Sequence, residues 1–164
     1  MRCSAVHAWV AGSFLDHVGK IGIREAILLK PGKLDAAEWL IMRTHVDQGE
    51  EIVTGMGWLD GANAVVAAHH EKWDGSGYPR QLAGNAIPLS ARIFAVADVF
   101  DALCSKRPYK EPMGFEAAMA ILEQDTGSHF DPAVMALFRP MARQIFDRLA
   151  NTNEHDAQQL LEDR

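Results

Sequence analysis

Cysteine is scarce: Cys3 and Cys104 are the only two in 164 residues, and their spacing supports neither a disulfide framework nor a thiolate metal site. Both read as packing residues in a reducing, cytoplasmic setting. Long apolar runs are missing too. None approaches the roughly 18 residues that span a bilayer, which argues against membrane insertion. Basic residues are in deficit, with 16 Lys and Arg against 22 Asp and Glu for a net charge of -6. General DNA binding, which needs a basic face to neutralise phosphates, is therefore disfavoured. A small anionic ligand stays compatible, because it needs only a few local cations. A hydrophobic content of 48% and a charged content of 23% argue against disorder and fit a folded domain. The length suits one such domain with a sizeable core, expected over residues 1–150 with a polar tail over 151–164.

What the chain does contain is His69-His70-Glu71-Lys72-Trp73-Asp74-Gly75-Ser76-Gly77-Tyr78-Pro79. The run before it, Ala64 to Ala68, has no charge and no helix breaker, so it reads as a helix buried on most sides. It delivers two adjacent imidazoles from inside the core, where their polar nitrogens need partners. A metal ion is one such partner; backbone is another. If both residues continue the helix, their side chains diverge by about 100° and do not chelate one ion as an i, i+4 pair does. The following loop, with Gly75 and Gly77 around Ser76 and with Pro79 at its exit, allows backbone to come close to a ligand.

Elsewhere the pattern is helical throughout. Residues Ala5 to His17 form a first helix, too interrupted by His7 and without a cleavage site to be a secretory signal. Asp35 and Glu38 have the spacing of a capping box that opens a helix to about Thr54. Its apolar face is Trp39, Ile41, Met42, Val46, Ile52 and Val53, with His45 inward among them. A loop spans Gly55 to Gly61. Helices follow from Pro88 to about Ser105, from Phe115 to Gln124, and from an Asp131-Pro132 start to about Leu149. Within the Pro88 helix, Asp98 interrupts an apolar run, and a buried carboxylate there needs a partner or an ion. Asp101, three residues on, reads as support or a cap.

The eleven-residue stretch from His69 to Pro79 resembles the motif of the HD-GYP family, a branch of the HD metal-dependent phosphohydrolases. The likeness extends, in order, through Lys20-Ile21-Gly22-Ile23, Ile27 to Leu34, Arg43-Thr44-His45, Ala97 to Leu103 and Arg107-Pro108-Tyr109-Lys110. It implies an all-α HD-domain helical bundle with two or three divalent metal ions, usually iron or manganese. The implied activity is hydrolysis of the bacterial messenger cyclic di-GMP to linear pGpG, with GMP as a further product. The implied metal ligands are His45, His69, His70 and Asp98, together with Asp16 and His17. The family carries His-Asp at the end of its first helix where this chain has Asp16-His17, and exchanging neighbours moves the carboxylate by about 100° around the axis. The family also has helices upstream of this point, so the chain reads as truncated at its N-terminus.

The resemblance further gives Lys20 a contact with substrate phosphate. It gives Arg107 and Lys110 a contact with the dinucleotide, and arginine's fork suits both phosphate and guanine. Tyr78 could stack on a guanine face or fill the core. The Gly77-Tyr78-Pro79 loop is implied in contacts with diguanylate cyclase (GGDEF) domains, and a homodimer is compatible. Two other readings stay open. The Asp16-His17 order fits a cyclic di-GMP-binding or interaction module that has lost turnover. A phosphohydrolase for ordinary nucleotides is the other, less favoured by the Gly-Tyr-Pro motif.

Overall fold

The computed structural model describes residues 18–54, 56, 60–105 and 111–151. The first helix expected from the sequence, the Arg107 to Lys110 segment and the polar tail beyond Asn151 lie outside these residues. The described residues are helical, with one isolated bridge between Thr126 and Phe130 and no strand. The fold is all-α. Two compact units divide between Ala95 and Val96.

In the first unit, a 3-10 turn over Val18–Gly22 is followed by α1 (Glu25–Leu28), α2 (Ala36–Arg43), α3 (His45–Val53) and α4 (Asp60–Val66). A second 3-10 turn at Gly84–Ala86 leads into α5 (Leu89–Cys104), which crosses the boundary between the units. The expected capping box is present: the Asp35 side chain accepts from the Glu38 amide at 2.9 Å, and the Glu38 carboxylate accepts from the Asp35 amide at 2.8 Å. These bonds draw the Asp35 carboxyl below its ordinary range, the Glu38 amide contributing most.

The single helix expected to reach Thr54 is instead two. Thr44 ends α2 by donating both its amide (3.1 Å) and its hydroxyl (2.8 Å) to the Ile41 carbonyl, and α3 starts at His45. The apolar stripe does not carry across this break. Val46 and Val53 of α3 are buried, but Trp39, Ile41 and Ile52 are exposed. The core forms where α3 and α4 meet. Val53, Ala62 and Val66 make one cluster, against which Val18 packs. Ala68, Ile87 and Ala91 make another, with Leu82 against it. Val66 and Ala68 belong to different clusters, so the chain between and just after them is anchored on both sides.

The 3-10 turn meets α3 at an unusually close approach. A Cβ on Gly19 would lie 1.8 Å from the His45 carbonyl oxygen and 2.7 Å from the Gly49 amide nitrogen. Only glycine allows the turn that carries Lys20 to rest on the helix that carries His45.

In the second unit, α6 (Phe115–Gln124) and α7 (Pro132–Asn151) follow the end of α5. Asp131 is the expected cap of α7, its side chain accepting from the Ala133 amide at 2.8 Å. Phe100 packs edge-on against Phe138 at 5.1 Å, and Leu122, Phe130 and Met135 are fully buried. No helix among the described residues is long and apolar enough to cross a membrane.

Candidate metal centre

α4 ends at Val66, three residues before the histidine pair. Ala67 to His70 form a turn, tightened by bonds from the Ala68 amide to Val65 (3.2 Å) and from the Glu71 amide to Ala68 (3.0 Å). This corrects the expected divergence of His69 and His70, because the two residues are no longer on regular helix. Their rings lie 4.1 Å apart, tilted by 40°. His45, the first residue of α3, presents its ring 5.6 Å from that of His69 and 5.1 Å from that of His70. One ligating nitrogen from each of the three lies within 4.8 Å of the others.

The chemistry of these nitrogens fits a metal ion. His45 Nδ1 lies 2.6 Å from the Met42 carbonyl oxygen and His69 Nδ1 lies 2.9 Å from that of Val66. A carbonyl only accepts, so Nδ1 donates in both rings and the neutral imidazole keeps its lone pair on Nε2, as a ligating histidine does. His45 and His69 are buried, and Phe94 of α5 packs edge-on to His69 at 6.3 Å. Three nitrogens sharing one ion at about 2.1 Å stand roughly 3.3 Å apart, the same scale as the separation of these three. The donor set therefore suits a divalent transition metal.

The loop from Trp73 to Leu82 is laid against this turn. The Tyr78 amide donates to the His70 carbonyl at 3.1 Å, and the Gly84 amide to that of Trp73 at 2.9 Å. The Ser76 hydroxyl and amide hold the Asp74 carboxyl below its ordinary range. The Tyr78 ring stacks on the His70 ring at 4.7 Å and 25°, and the Arg43 guanidinium sits 4.9 Å from its centre. Burial pushes the phenol up to about 12 against the opposing charge of Arg43.

Glu71 is a site residue to which the sequence reading assigned no role. The residue is 2% exposed, and its carboxylate accepts from the Arg80 amide at 2.8 Å and the Leu82 amide at 3.0 Å. It thus clamps the returning loop to the residue after the histidine pair. An acid three residues past the end of a wholly apolar run, Ala64 to Ala68, was the available signal. Glu71→Gln places an amide donor against one of these N–H groups and should cost about 2 kcal/mol in stability, since a buried charged acceptor is replaced by a mismatched neutral one. Thermal denaturation checks this, and an unchanged melting temperature would contradict the clamp.

Of the other expected site residues, Lys20 is partly buried on the 3-10 turn beside α3. Asp98 is partly buried on the part of α5 that belongs to the second unit. Asp101 accepts from the Ser105 hydroxyl at 2.7 Å, a supporting contact with the residue just past the end of that helix. Asp16, His17, Arg107 and Lys110 lie outside the described residues. Cys104 is partly buried at the end of α5.

Comparison with known proteins agrees with this picture. The sequence model of the HD domain family matches residues 7–134. A 3'3'-cGAMP-specific phosphodiesterase 2 of Vibrio cholerae is 50% identical over 125 residues, which cover 75% of this chain and 24% of the relative. A probable cyclic di-GMP phosphodiesterase of the same organism is 50% identical over 132 residues, covering 76% of this chain and 30% of the relative. A cyclic di-GMP phosphodiesterase of Thermotoga maritima is 41% identical over 144 residues, covering 87% of this chain and 39% of the relative. The chain thus spans between about a quarter and two fifths of the length of these curated relatives. Among solved structures, a V. cholerae cyclic GMP-AMP phosphodiesterase (V-cGAP3) shares the fold, with a TM-score of 0.62 and 18% identity over 94% of this chain and 45% of that one. With the family match running from residue 7 to residue 134 and the complete His-His-Glu to Gly-Tyr-Pro motif folded around a histidine cluster, the chain belongs to the HD domain family, in its HD-GYP branch.

Proposed function

We propose that this chain is a metal-dependent phosphodiesterase domain that hydrolyses cyclic di-GMP to pGpG. The observation that carries the reading is the convergence of His45, His69 and His70, drawn from two separate segments, to within 4.8 Å at their ligating nitrogens. The names of the relatives supply the substrate class. His45, His69 and His70 would hold the metal, and the family resemblance adds Asp98, Asp16 and His17 as further ligands. When bound, two or three iron or manganese ions supply Lewis-acid polarisation of the phosphodiester and neutralise charge on the departing sugar oxygen. The chain's own residues do the rest. The carbonyls of Met42 and Val66 keep the Nδ1 protons of His45 and His69 in place, which fixes the face each ring turns to the ion. Burial of these two rings keeps bulk water from competing for them. Lys20, Arg107 and Lys110 offset the phosphate charge.

The test is hydrolysis of cyclic di-GMP by anaerobically purified protein loaded with iron or manganese, with 3'3'-cGAMP assayed alongside. Appearance of pGpG supports the reading. Metal-loaded protein that turns over neither dinucleotide contradicts it. The order Asp16-His17 favours a second reading, a cyclic di-GMP receptor without turnover. Such a receptor would bind the dinucleotide calorimetrically even after chelation.

A further inference from the structure

The Gly-Tyr-Pro loop does more than cover the site: it ties together the two segments from which the histidines come. Tyr78 touches both. One contact is its stack on His70; the other is the Arg43 guanidinium, two residues before His45. A second tie runs beside the first, because the Arg80 guanidinium pairs with Glu50 of α3, five residues beyond His45. The loop itself is fixed to the histidine turn by the Tyr78 amide on the His70 carbonyl and by Glu71 on the amides of Arg80 and Leu82. Arg43 and Glu50 therefore bracket His45 along the chain, and both are held by the loop that stacks on His70.

We propose that Tyr78, pinned by Arg43, is a brace that fixes the His70 ring relative to the His45 segment, so that the three imidazoles are preorganised for an ion. Tyr78 is a positioning residue in this role, and the relevant part of it is the ring rather than the hydroxyl. A stack between a ring at 4.7 Å and a cation at 4.9 Å combines aromatic packing with cation–π attraction. In metal sites, groups that orient a ligand without touching the ion commonly change affinity by about 10- to 100-fold when removed. The inference rests on the metal-centre reading above and assigns the tyrosine to the ligand rather than to a base of the substrate.

The experiment measures Mn2+ affinity by chelator competition on the full chain and its variants, beside carbon–proton NMR of the histidine rings without metal. Tyr78→Phe keeps the ring and should bind Mn2+ within about twofold of wild type, whereas Tyr78→Leu should bind about tenfold more weakly. Arg43→Gln, which leaves the stack unpinned, should fall between them. The double variant should be no weaker than Tyr78→Leu, because both changes act through one contact. In the spectra, stacking should shift the His70 ring protons upfield in wild type and Tyr78→Phe, and Tyr78→Leu should abolish the shift. Leucine at 78 with wild-type affinity would overturn the proposal. If that variant does not fold, wild-type affinity in Arg43→Gln overturns it equally. A wild type that binds no Mn2+ would overturn the metal centre itself, and the metal-free spectra would still decide whether Tyr78 holds the His70 ring.

Discussion

Gly77→Ala should destabilise the protein by about 3 kcal/mol or more and remove most of its metal affinity. A Cβ at this position would stand 2.4 Å from the Lys72 amide nitrogen, 2.5 Å from the Glu71 Cα and 2.6 Å from the His70 carbonyl oxygen. All three are backbone atoms, of His70 and the two residues after it, so no side chain can swing aside. Overpacking against rigid surroundings costs about 1–3 kcal/mol, and three simultaneous clashes put this case at the upper end or beyond. The loop must lift off the turn, and Tyr78, the next residue, leaves His70 with it. For a chain of this length a loss of 3 kcal/mol lowers the melting temperature by roughly 6–12 °C. Gly75→Ala is the comparison. Gly75 has φ of +82°, and its Cβ would come no nearer to any atom than 3.2 Å, to the Ala83 Cβ, so the penalty should be nearer 1 kcal/mol. Calorimetry and Mn2+ titration of the two variants measure the difference, and equal effects would contradict it.

Gly19→Ala should be comparably severe. The 1.8 Å clash with the His45 carbonyl oxygen forces the 3-10 turn away from α3, opening the cluster of Val53, Ala62 and Val66 on which Val18 packs. A loss of about 3 kcal/mol is expected. Lys20 should be displaced with the turn, so residual hydrolysis should show a raised KM for the dinucleotide. Gly22→Ala provides the contrast within the same turn. Its Cβ would meet the Gln48 side chain, which can rotate away at the expense of its 2.9 Å bond to the Thr44 hydroxyl. That variant should lose about 1 kcal/mol or less.

The parts legible in the sequence were those set by local chemistry. The capping box of Asp35 and Glu38, the helix from Phe115 to Gln124 and the Asp131-Pro132 helix start need only neighbours a few residues away. The helix expected over 88–105 runs from Leu89 to Cys104. The motif from His69 to Pro79 was legible for a different reason: its residue types and order are specific to one family. What escaped were local departures from regular helix and contacts between distant segments. Nothing near Thr44 in the sequence breaks a helix, yet the chain stops and restarts there, leaving Trp39, Ile41 and Ile52 exposed. Continuing a helix through Ala67 to His70 gave diverging imidazoles, whereas the tightened turn brings their rings to 4.1 Å. The clamp by Glu71 and the Arg43–Tyr78–His70 stack join residues up to 35 positions apart along the chain, which hydrophobic periodicity cannot reveal.

Anomalous diffraction from crystals soaked in Mn2+ tests the histidine convergence directly. The expected result is a manganese peak bonded at about 2.0–2.3 Å to nitrogens of His45, His69 and His70 together. Manganese held elsewhere, with these three rings turned to separate surroundings, would contradict the metal centre and the hydrolytic function proposed from it.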